Sequence, residues 1–406
     1  MGSAPEGAES AIFTPLKIGN GKITLKHRVV LAPLTRNRGT PLNGSTIPTK
    51  YSENIWVHDD LGVEYYSQRA TEGGLIISEG IPPSLESNGF PGGKAYGIQQ
   101  VKSWKKVVDA VHAKGGVIYA QLWFAGRATI DEMTGSRPLS SSPTAWDTDE
   151  YYAGPSWETG EKIMYKDRPP IGLTKDQIKE QIGVCAHFAK LAMEAGFDGV
   201  EAHGGNGYII EQFLSSNINK RTDEYGGSVE GYTRFPIELM TAMADAIGQE
   251  NLAIRLSPFG LYNRARGEKR VEIWGHLCRE LKRLLPNLSY VHFLEPRYEQ
   301  IHSYEEKQKF LDAWGLSDVD LSMFRHIFHG TPFLTAGGWN DTNVWGQIEA
   351  GKYDAFAIGR YFISNPDLPR RLKEKLPLQA YDRSKFYFQP YDQRPLGYVD
   401  YPFWKE

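Results

Sequence analysis

The chain has 406 residues, of which 40% are hydrophobic and 12% aromatic, and its formal net charge is −3 at pH 7. This composition is typical of a globular protein with a large core, and it excludes a collagen-like or disordered chain. The nearly balanced charge argues against nucleic acid or an anionic membrane as the main partner, because both require a basic face. The cysteines are Cys185 and Cys278, so the sequence supports neither a disulfide framework nor a thiolate metal site.

The N-terminus lacks the basic and apolar regions of a signal peptide. No apolar run approaches the roughly eighteen residues that a membrane span requires. We therefore expect a soluble protein of a reducing compartment, the cytoplasm, with no membrane partner. A monomer and a homodimer both remain open.

The first predicted element is a hairpin over residues 16–25, with Asn20-Gly21 in a tight turn. It precedes eight short apolar runs that are separated by amphipathic segments, which is the pattern of parallel βαβ units. We expect the hairpin to close the floor of a barrel formed by these runs. The runs span residues 28–32, 74–78, 117–121, 198–202, 252–256, 290–294, 332–336 and 354–358.

Eight strands separated by helices predict a closed (β/α)8 barrel that forms one domain over residues 1–406, with residues 1–11 as a flexible N-terminus. A doubly wound open sheet is the alternative, but no Gly-x-Gly-x-x-Gly motif follows the first strand. Thr174 and Gln177 form a capping box at the start of the first of the clearest helical patterns. Those patterns span residues 175–195, 232–247, 271–285 and 343–350.

Three irregular stretches, residues 39–61, 129–170 and 297–316, each follow a candidate strand. Loops on the C-terminal side of such a barrel build its active site, so we expect these stretches to shape a pocket.

Polar groups and glycines lie at the ends of most of the candidate strands, facing one mouth of the predicted barrel. This convergence favours a ligand site over ordinary solvent-exposed residues that bind nothing. The residues are Pro33, Leu34 and Thr35 after the first run, Gly80 after the second, Gln121 in the third, His203 after the fourth, Arg255 in the fifth, Gly337 and Gly338 after the seventh, and Gly359 and Arg360 after the eighth.

The fourth run leads into His203-Gly-Gly-Asn206-Gly-Tyr208. His203 and Asn206 can both donate hydrogen bonds to one oxygen, whereas Tyr208, with an unperturbed pKa of about 10, can give a proton to a developing carbanion or enolate. The alternative is that His203 and Asn206 only satisfy backbone groups of a turn and that Tyr208 is a half-buried aromatic residue.

Gly337, Gly338, Gly359 and Arg360 occupy the positions at which barrels of this type commonly bind a phosphate, through backbone N–H groups and a nearby positive charge. An ordinary surface ion pair of Arg360 is the alternative.

Arg255 lies inside an apolar strand and needs an anionic partner, because an unpaired charge is strongly unfavourable in a low-dielectric interior. The partner is either a structural carboxylate or an anionic cofactor ring. The amide of Gln121, which is both donor and acceptor, suits the edge of a pyrimidine ring.

Together these motifs resemble the Old Yellow Enzyme family of FMN-dependent ene-reductases, in its fungal form, from about residue 12 to residue 403. The segments that carry the resemblance are Leu31–Arg36, Tyr65–Arg69, Ile77–Gly80, Gln121–Trp123, His203–Tyr208, Gln212–Leu214, Arg221–Ser228, Gly359–Leu368 and Tyr381–Tyr387.

The resemblance implies non-covalent FMN, with Thr35 at the flavin O4 and Arg255 by the N1/O2 edge, where its charge favours the anionic reduced flavin. No metal is implied. Trp123, Phe259 and Tyr387 would line the substrate pocket. The implied FMN contacts are Pro33, Leu34, Thr35, Gly80, Gln121, Arg255, Gly337, Gly338, Gly359 and Arg360.

The implied activity is the reduction of the activated C=C bond of an α,β-unsaturated carbonyl compound, with NADPH or NADH as reductant. His203 and Asn206 would bind the carbonyl oxygen while hydride passes from flavin N5 to the β-carbon and Tyr208 protonates the α-carbon. A desaturase, isomerase or cyclase acting on a specialised metabolite is the alternative within the same flavin barrel. A flavin-free lyase or aldolase is disfavoured because no lysine lies inside the candidate strands, and a non-catalytic barrel because the His/Asn/Tyr set is intact.

The sequence departs from the family pattern at several places. Val229-Glu-Gly-Tyr-Thr-Arg-Phe235 stands where the family usually has Ile-Glu-Asn-Arg-Ala-Arg-Phe, and Gly338 replaces a common Asn. Residues 51–59 and 151–168 are longer than usual, and residues 89–97 lack the usual Pro-Gly-Ile-Trp. These departures affect loops, so the natural substrate is the least transferable part of the resemblance.

Overall fold

The structure is a computed structural model that describes residues 4–42, 56–90, 98–156, 158–296, 304–313, 315, 319–387 and 389–405. In chain order its strands are β1 (Leu16–Ile18), β2 (Ile23–Leu25), β3 (Val29–Leu31), β4 (Thr40–Pro41), β5 (Trp56–Val57), β6 (Leu75–Ile81), β7 (Val117–Leu122), β8 (Leu139–Ser140), β9 (Tyr151–Pro155), β10 (Lys162–Met164), β11 (Ile171–Gly172), β12 (Gly199–Gly204), β13 (Leu252–Leu256), β14 (Val291–Leu294), β15 (Phe333–Ala336) and β16 (Ala355–Ile358). Its α-helices are α1 (Asp60–Arg69), α2 (Ile98–His112), α3 (Asp131–Thr134), α4 (Lys175–Glu194), α5 (Ile209–Leu214), α6 (Val229–Ile247), α7 (Arg270–Leu284), α8 (Tyr304–Ala313), α9 (Ser322–Ile327), α10 (Arg360–Ser364) and α11 (Leu368–Glu374).

Eight parallel strands close a barrel in the order β3, β6, β7, β12, β13, β14, β15, β16, and β16 pairs back to β3. Each of the eight predicted runs contains or overlaps one of these strands. The predicted (β/α)8 barrel is therefore confirmed, and the doubly wound alternative is wrong. The barrel strands are almost entirely buried, which explains why they appear in the sequence as continuous apolar runs.

The β1–β2 hairpin closes the barrel floor as predicted. Its strands pair antiparallel with Leu16 opposite Leu25, and Asn20 and Gly21 both have positive φ angles, as the tight turn requires. Ile18 and Leu25 are fully buried and share an apolar cluster with inward-facing residues of the barrel strands. This cluster fills the lower interior, so the polar side chains meet nearer the opposite mouth.

The residues of β12 alternate between the surrounding helices and the barrel interior, as the twofold period of a strand requires. Val200 and Ala202 pack in the core shared with the helices, whereas Glu201 forms hydrogen bonds inside the barrel. His203 lies opposite Arg255 of β13 in the parallel register. The period of two thus places the charged and polar side chains of neighbouring strands together inside the barrel.

Three of the four predicted helices are present as α4, α6 and α7, and the Thr174–Gln177 capping box forms. The predicted helix over residues 343–350 is wrong, because those residues form successive turns. Gly346 lies there with a φ of +74°, and a left-handed residue interrupts a right-handed helix.

The stretches predicted to be irregular contain more order than expected. β4 pairs with β5, β9 pairs with β10, and α8 lies within the third stretch, whereas residues 43–55 and 297–303 lie outside the described residues. The N-terminal segment contacts the barrel, since Glu6 pairs with Lys375 and the Ala11 N–H donates to Glu349. In the described ranges no helix has the length and apolar character to cross a bilayer.

Candidate active site

A cavity of about 410 Å³ lies at the mouth formed by the C-terminal ends of the barrel strands. The structure brings together there every residue that the sequence nominated except Phe259. The nominated residues that line it are Pro33, Leu34, Thr35, Gly80, Gln121, Trp123, His203, Asn206, Tyr208, Arg255, Gly337, Gly338, Gly359, Arg360 and Tyr387.

Phe259, which the resemblance nominated for the substrate pocket, is not among the described residues that line this cavity. Its side chain is buried in the core shared with the helices, where its ring lies 6.0 Å from that of Phe324. Phe259 lies within the turn from Ser257 to Gly260 that follows β13. Tyr262, three residues further along, contributes the aromatic wall that we expected from Phe259.

One end of the cavity combines backbone amides with positive charge. Gly337 and Gly338 follow β15 with φ angles of +127° and +78°. Gly359 is the N-cap of α10 and provides no side chain to cap its amides. The Arg360 guanidinium donates to the Tyr381 hydroxyl at 2.8 Å and lines the cavity. These groups suit a phosphate.

A buried polar network connects β7, β12, β13 and β14. The Gln121 amide donates to Glu201 Oε1 at 2.8 Å, and His292 Nδ1 lies 2.9 Å from Glu201 Oε2. Burial acts to raise the pKa of Glu201, but His292, Arg255 and the bond from Gln121 outweigh it, so the pKa is lowered. Glu201 is thus a buried anionic group that interacts electrostatically with Arg255, one of the two kinds of partner expected for this arginine, and Arg255 also lines the cavity.

His203 is the second-last residue of β12, and its imidazole is buried at the cavity. The Gly205 N–H points to Nδ1 at 3.4 Å, which assigns the remaining proton of a neutral ring to Nε2. Burial lowers the pKa of His203 well below its usual value, and the positive charges of Arg255 and His292 act in the same direction. His203 is therefore a neutral hydrogen-bond donor.

Asn206 is bound on three sides. Its N–H donates to Ser257 Oγ at 2.7 Å, and its carbonyl accepts from the Asn263 side chain at 2.9 Å. Its side-chain Oδ1 accepts from Arg255 Nη1 at 3.3 Å. Because Oδ1 is engaged, the NH2 group is the part of the carboxamide left to donate to a ligand in the cavity.

Tyr208 is the N-cap residue of α5 and is 8% exposed. Its ring lies edge-on to Trp123 at 5.3 Å and to His203 at 5.2 Å. Burial raises the pKa of Tyr208 well above its usual value, and neighbouring phenols including Tyr262 add to the effect, while a hydrogen bond with Asn263 opposes it. Tyr208 therefore holds its proton at physiological pH.

The sequence did not nominate several residues of the cavity. Phe90 stacks on Trp123 at 5.5 Å, and Ala153 reaches the cavity from β9. Arg383 provides a second cation. All three lie on loops or on the β9–β10 hairpin, beyond the barrel strands whose periodicity guided the nomination. The residues of β9 alternate in exposure, but the sequence Tyr151–Pro155 does not alternate between apolar and polar residues, so it carries no period-two signal for this strand.

The donors of the cavity fit a flat heteroaromatic ring with a phosphorylated tail. Thr35, Gln121 and Arg255 provide hydrogen-bonding groups for a polar ring edge, and Leu34 provides apolar contact. The glycines and Arg360 provide the phosphate end. Across the described residues, no group of three or more His, Cys, Asp or Glu side chains is arranged to bind a metal ion.

Comparison with known proteins is consistent with this chemistry. The sequence profile of the NADH:flavin oxidoreductase / NADH oxidase family matches residues 11–379. The flavin oxidoreductase hxnT of Emericella nidulans is 43% identical over 403 residues, covering 97% of each chain. Morphinone reductase in complex with tetrahydroNAD superposes with a TM-score of 0.79 at 33% identity, over 97% of this chain and 98% of that one. The Old Yellow Enzyme homologue of Zymomonas mobilis gives 0.80 at 31% identity, over 96% and 99%.

Proposed function

This chain belongs to the NADH:flavin oxidoreductase / NADH oxidase family as a flavoprotein of the Old Yellow Enzyme type, and we propose that it reduces the activated C=C bond of α,β-unsaturated carbonyl compounds with NADPH or NADH. The observation that carries the proposal is the convergence of two neutral donors, His203 and Asn206, with the protonated phenol of Tyr208 in one cavity.

FMN is the proposed non-covalent cofactor, and when bound it supplies the hydride that the substrate β-carbon receives. Gly337, Gly338, Gly359 and Arg360 would bind its phosphate, and Thr35, Gln121 and Arg255 its ring edge. Glu201 supports this assignment in a specific way. By accepting from the Gln121 amide it fixes the orientation of that amide, and it balances the charge of Arg255 when no ligand is present.

His203 and Asn206 bind and polarise the substrate carbonyl. His203 Nε2–H and the Asn206 NH2 group donate to the oxygen, on which negative charge grows as the β-carbon gains hydride. Donors that are fixed before the reaction stabilise such a charge most effectively, because they need no reorganisation. Burial keeps the His203 imidazole neutral, so it is a donor whose own proton remains in place.

Tyr208 delivers the proton to the α-carbon. Its hydroxyl stays protonated at physiological pH and meets the developing carbanion as a general acid. A desaturase needs a base at this position instead, and the raised pKa of Tyr208 disfavours that assignment. The described lining of the cavity contains no lysine, which disfavours Schiff-base lyase chemistry.

The test is a product analysis of the purified protein. We expect it to be yellow, to release FMN on denaturation, and to convert 2-cyclohexen-1-one to cyclohexanone with equimolar consumption of NADPH or NADH under anaerobic conditions. A colourless protein that does not take up FMN would overturn the proposal, as would reductant consumption without the saturated ketone.

A further inference from the structure

Glu211 lies beside the proposed carbonyl site without lining the cavity. It is in the first turn of α5, is 1% exposed, and directs its carboxylate back toward the turn formed by residues 205–208. Oε2 accepts from the Gly207 N–H at 2.8 Å and from Ser257 Oγ at 2.9 Å. The proposed reaction uses no carboxylate here, so this buried acid has no role in the chemistry described above.

Ser257 links Glu211 to Asn206. The Ser257 hydroxyl donates to the carboxylate and accepts from the Asn206 N–H at 2.7 Å. Asn206 and Gly207 have φ angles of +57° and +69°, which directs their consecutive N–H groups toward this acceptor pair. Successive amides in such a turn form a concave site that favours an anion. The carboxylate therefore stabilises a backbone conformation that the asparagine would otherwise adopt at a cost.

Gly207 is closely packed within this turn. A Cβ added to Gly207 would lie 2.4 Å from the Tyr262 carbonyl oxygen and 2.6 Å from the Asn263 Cβ. The backbone therefore packs against the segment after β13, and a small displacement of Gly207 also moves the Asn206 side chain. The hydrogen bond from the Gly207 N–H to Glu211 is thus coupled to the position of the Asn206 side chain, which is a proposed donor to the substrate carbonyl.

The charge around Glu211 is limited. Arg270, at the start of α7, is the charged side chain that faces it, with Nη1 3.5 Å from Oε1, and Arg270 is also committed to the Pro258 carbonyl at 2.6 Å. From the other packed segments it meets the Gly207 amide and the Ser257 hydroxyl. Burial raises the pKa of Glu211 to about 7 against the opposing effect of Arg270, so the group changes charge near neutral pH.

We propose that Glu211 is a positioning residue for carbonyl recognition: its carboxylate fixes Asn206 through Ser257 and Gly207, and its protonation weakens binding of a carbonyl ligand. This inference rests on the proposed function, because it requires Asn206 to bind that oxygen. Protonation removes the negative charge from the acceptor that the Gly207 amide and the Ser257 hydroxyl share, so both hydrogen bonds lose their charge-assisted strength and the turn loosens. Affinity for a neutral enone then falls as the pH is lowered through neutrality.

The test measures the dissociation constant of 2-cyclohexen-1-one for the oxidised holoenzyme, from the change in flavin absorbance, between about pH 5.5 and 8.5. This ligand does not titrate in that range. Weakening of these hydrogen bonds predicts a dissociation constant about 3- to 10-fold higher at the acid end, with a midpoint near the Glu211 pKa of about 7. Glu211→Gln should bind with the acid-end affinity at every pH, while its FMN content is unchanged.

Two further variants separate positioning from general stability. Glu230→Gln, an exposed acid at the start of α6, is the matched control and should retain the wild-type pH profile. Ser257→Ala keeps the carboxylate but removes the link and should weaken binding at the alkaline end. A wild-type affinity that does not change with pH, or a midpoint that persists in Glu211→Gln, would overturn the positioning role. Absence of enone binding at every pH in all variants would overturn the proposed function itself.

Discussion

The inner and outer halves of the cavity are built on different parts of the fold. The inner half, from Gln121 to His203 and Arg255, lies on barrel strands whose register fixes each side chain. The outer half is formed by loops and by the β9–β10 hairpin, which contribute Ala153 and Tyr387 among others. Gln121 and His203 are buried and Arg255 is half-buried, whereas Tyr387 is 47% exposed. We infer from this difference that the barrel strands and the turn after β12 hold the groups of the proposed chemistry, and that the outer loops influence substrate choice.

If this division is correct, the largest effect should come from Tyr208, the proposed proton donor, which lies in the turn that follows β12. We expect Tyr208→Phe to slow reoxidation of the reduced enzyme by an enone by about 10²- to 10⁴-fold, the usual contribution of general acid catalysis. Reduction of the enzyme by NADPH or NADH needs no such proton and should change little. Anaerobic stopped-flow absorbance resolves the two half-reactions. Unchanged reoxidation would assign the proton to water or to another residue.

The second effect concerns the paired donors His203 and Asn206. A phenol whose phenolate mimics the enolate should bind between them and give a long-wavelength charge-transfer band with the flavin. Because hydrogen bonds to a charged group contribute about 1.5–3 kcal/mol each, changing both residues to Ala should weaken phenol binding by at least about 100-fold. FMN should remain bound. If the double variant binds phenols as tightly as the parent, the carbonyl site lies elsewhere in the cavity.

The third effect is on stability and involves Glu211. Its pKa in the folded protein, about 7, is above the 4.5 of an unperturbed glutamate, so the folded state binds the proton more tightly than the unfolded chain. The contribution of Glu211 to the free energy of unfolding is complete below about pH 4.5 and is lost as the pH rises through 7. The loss amounts to at most about 3 kcal/mol. Urea unfolding at several pH values should show this loss in the wild type but not in Glu211→Gln; parallel pH profiles for the two proteins would contradict it.

The smallest effect tests the outer half of the cavity by comparing substitutions at two aromatic residues, Tyr262 and Phe259. Tyr262→Ala should raise the KM for an enone several-fold with a smaller change in kcat, because Tyr262 lines the cavity and its ring lies edge-on to that of Tyr208 at 6.5 Å, but it transfers no proton in the proposed mechanism. Phe259→Leu should leave KM unchanged and lower the free energy of unfolding by about 1 kcal/mol, since its ring packs in the core. Steady-state kinetics with thermal unfolding measures both. A higher KM for Phe259→Leu together with an unchanged KM for Tyr262→Ala would instead place Phe259 at the substrate site.

The features that depend on the periodicity of apolar residues, namely the barrel strands and the side chains at their ends, were predicted from the sequence. A parallel strand buried on both faces appears as a short apolar run, so all eight barrel strands were located. The side chains at the strand ends, such as Gln121 and Arg255, followed from that register. The predicted helix over residues 343–350 failed because its amphipathic pattern does not register the left-handed conformation of Gly346.

The positions of residues that depend on turns and tertiary contacts could not be predicted from the sequence. Phe259 was placed in the pocket although the turn after Ser257 directs it into the core. Glu211 lies in the first turn of α5, and an acid at such a position normally faces solvent. Its burial against Gly207 and Ser257 depends on tertiary contacts that the local sequence does not show. Asn263 adopts a left-handed conformation and contacts Asn206 from a separate loop, a juxtaposition that no local pattern records.

The central claim is that the barrel presents His203, Asn206 and Tyr208 to an enone above a bound flavin. A single-turnover experiment tests it most directly: the protein is reduced anaerobically with one equivalent of NADPH or NADH and then mixed with 2-cyclohexen-1-one. We predict full recovery of the oxidised flavin spectrum and one equivalent of cyclohexanone. A flavin that stays reduced, or that reoxidises without forming the saturated ketone, would contradict the account.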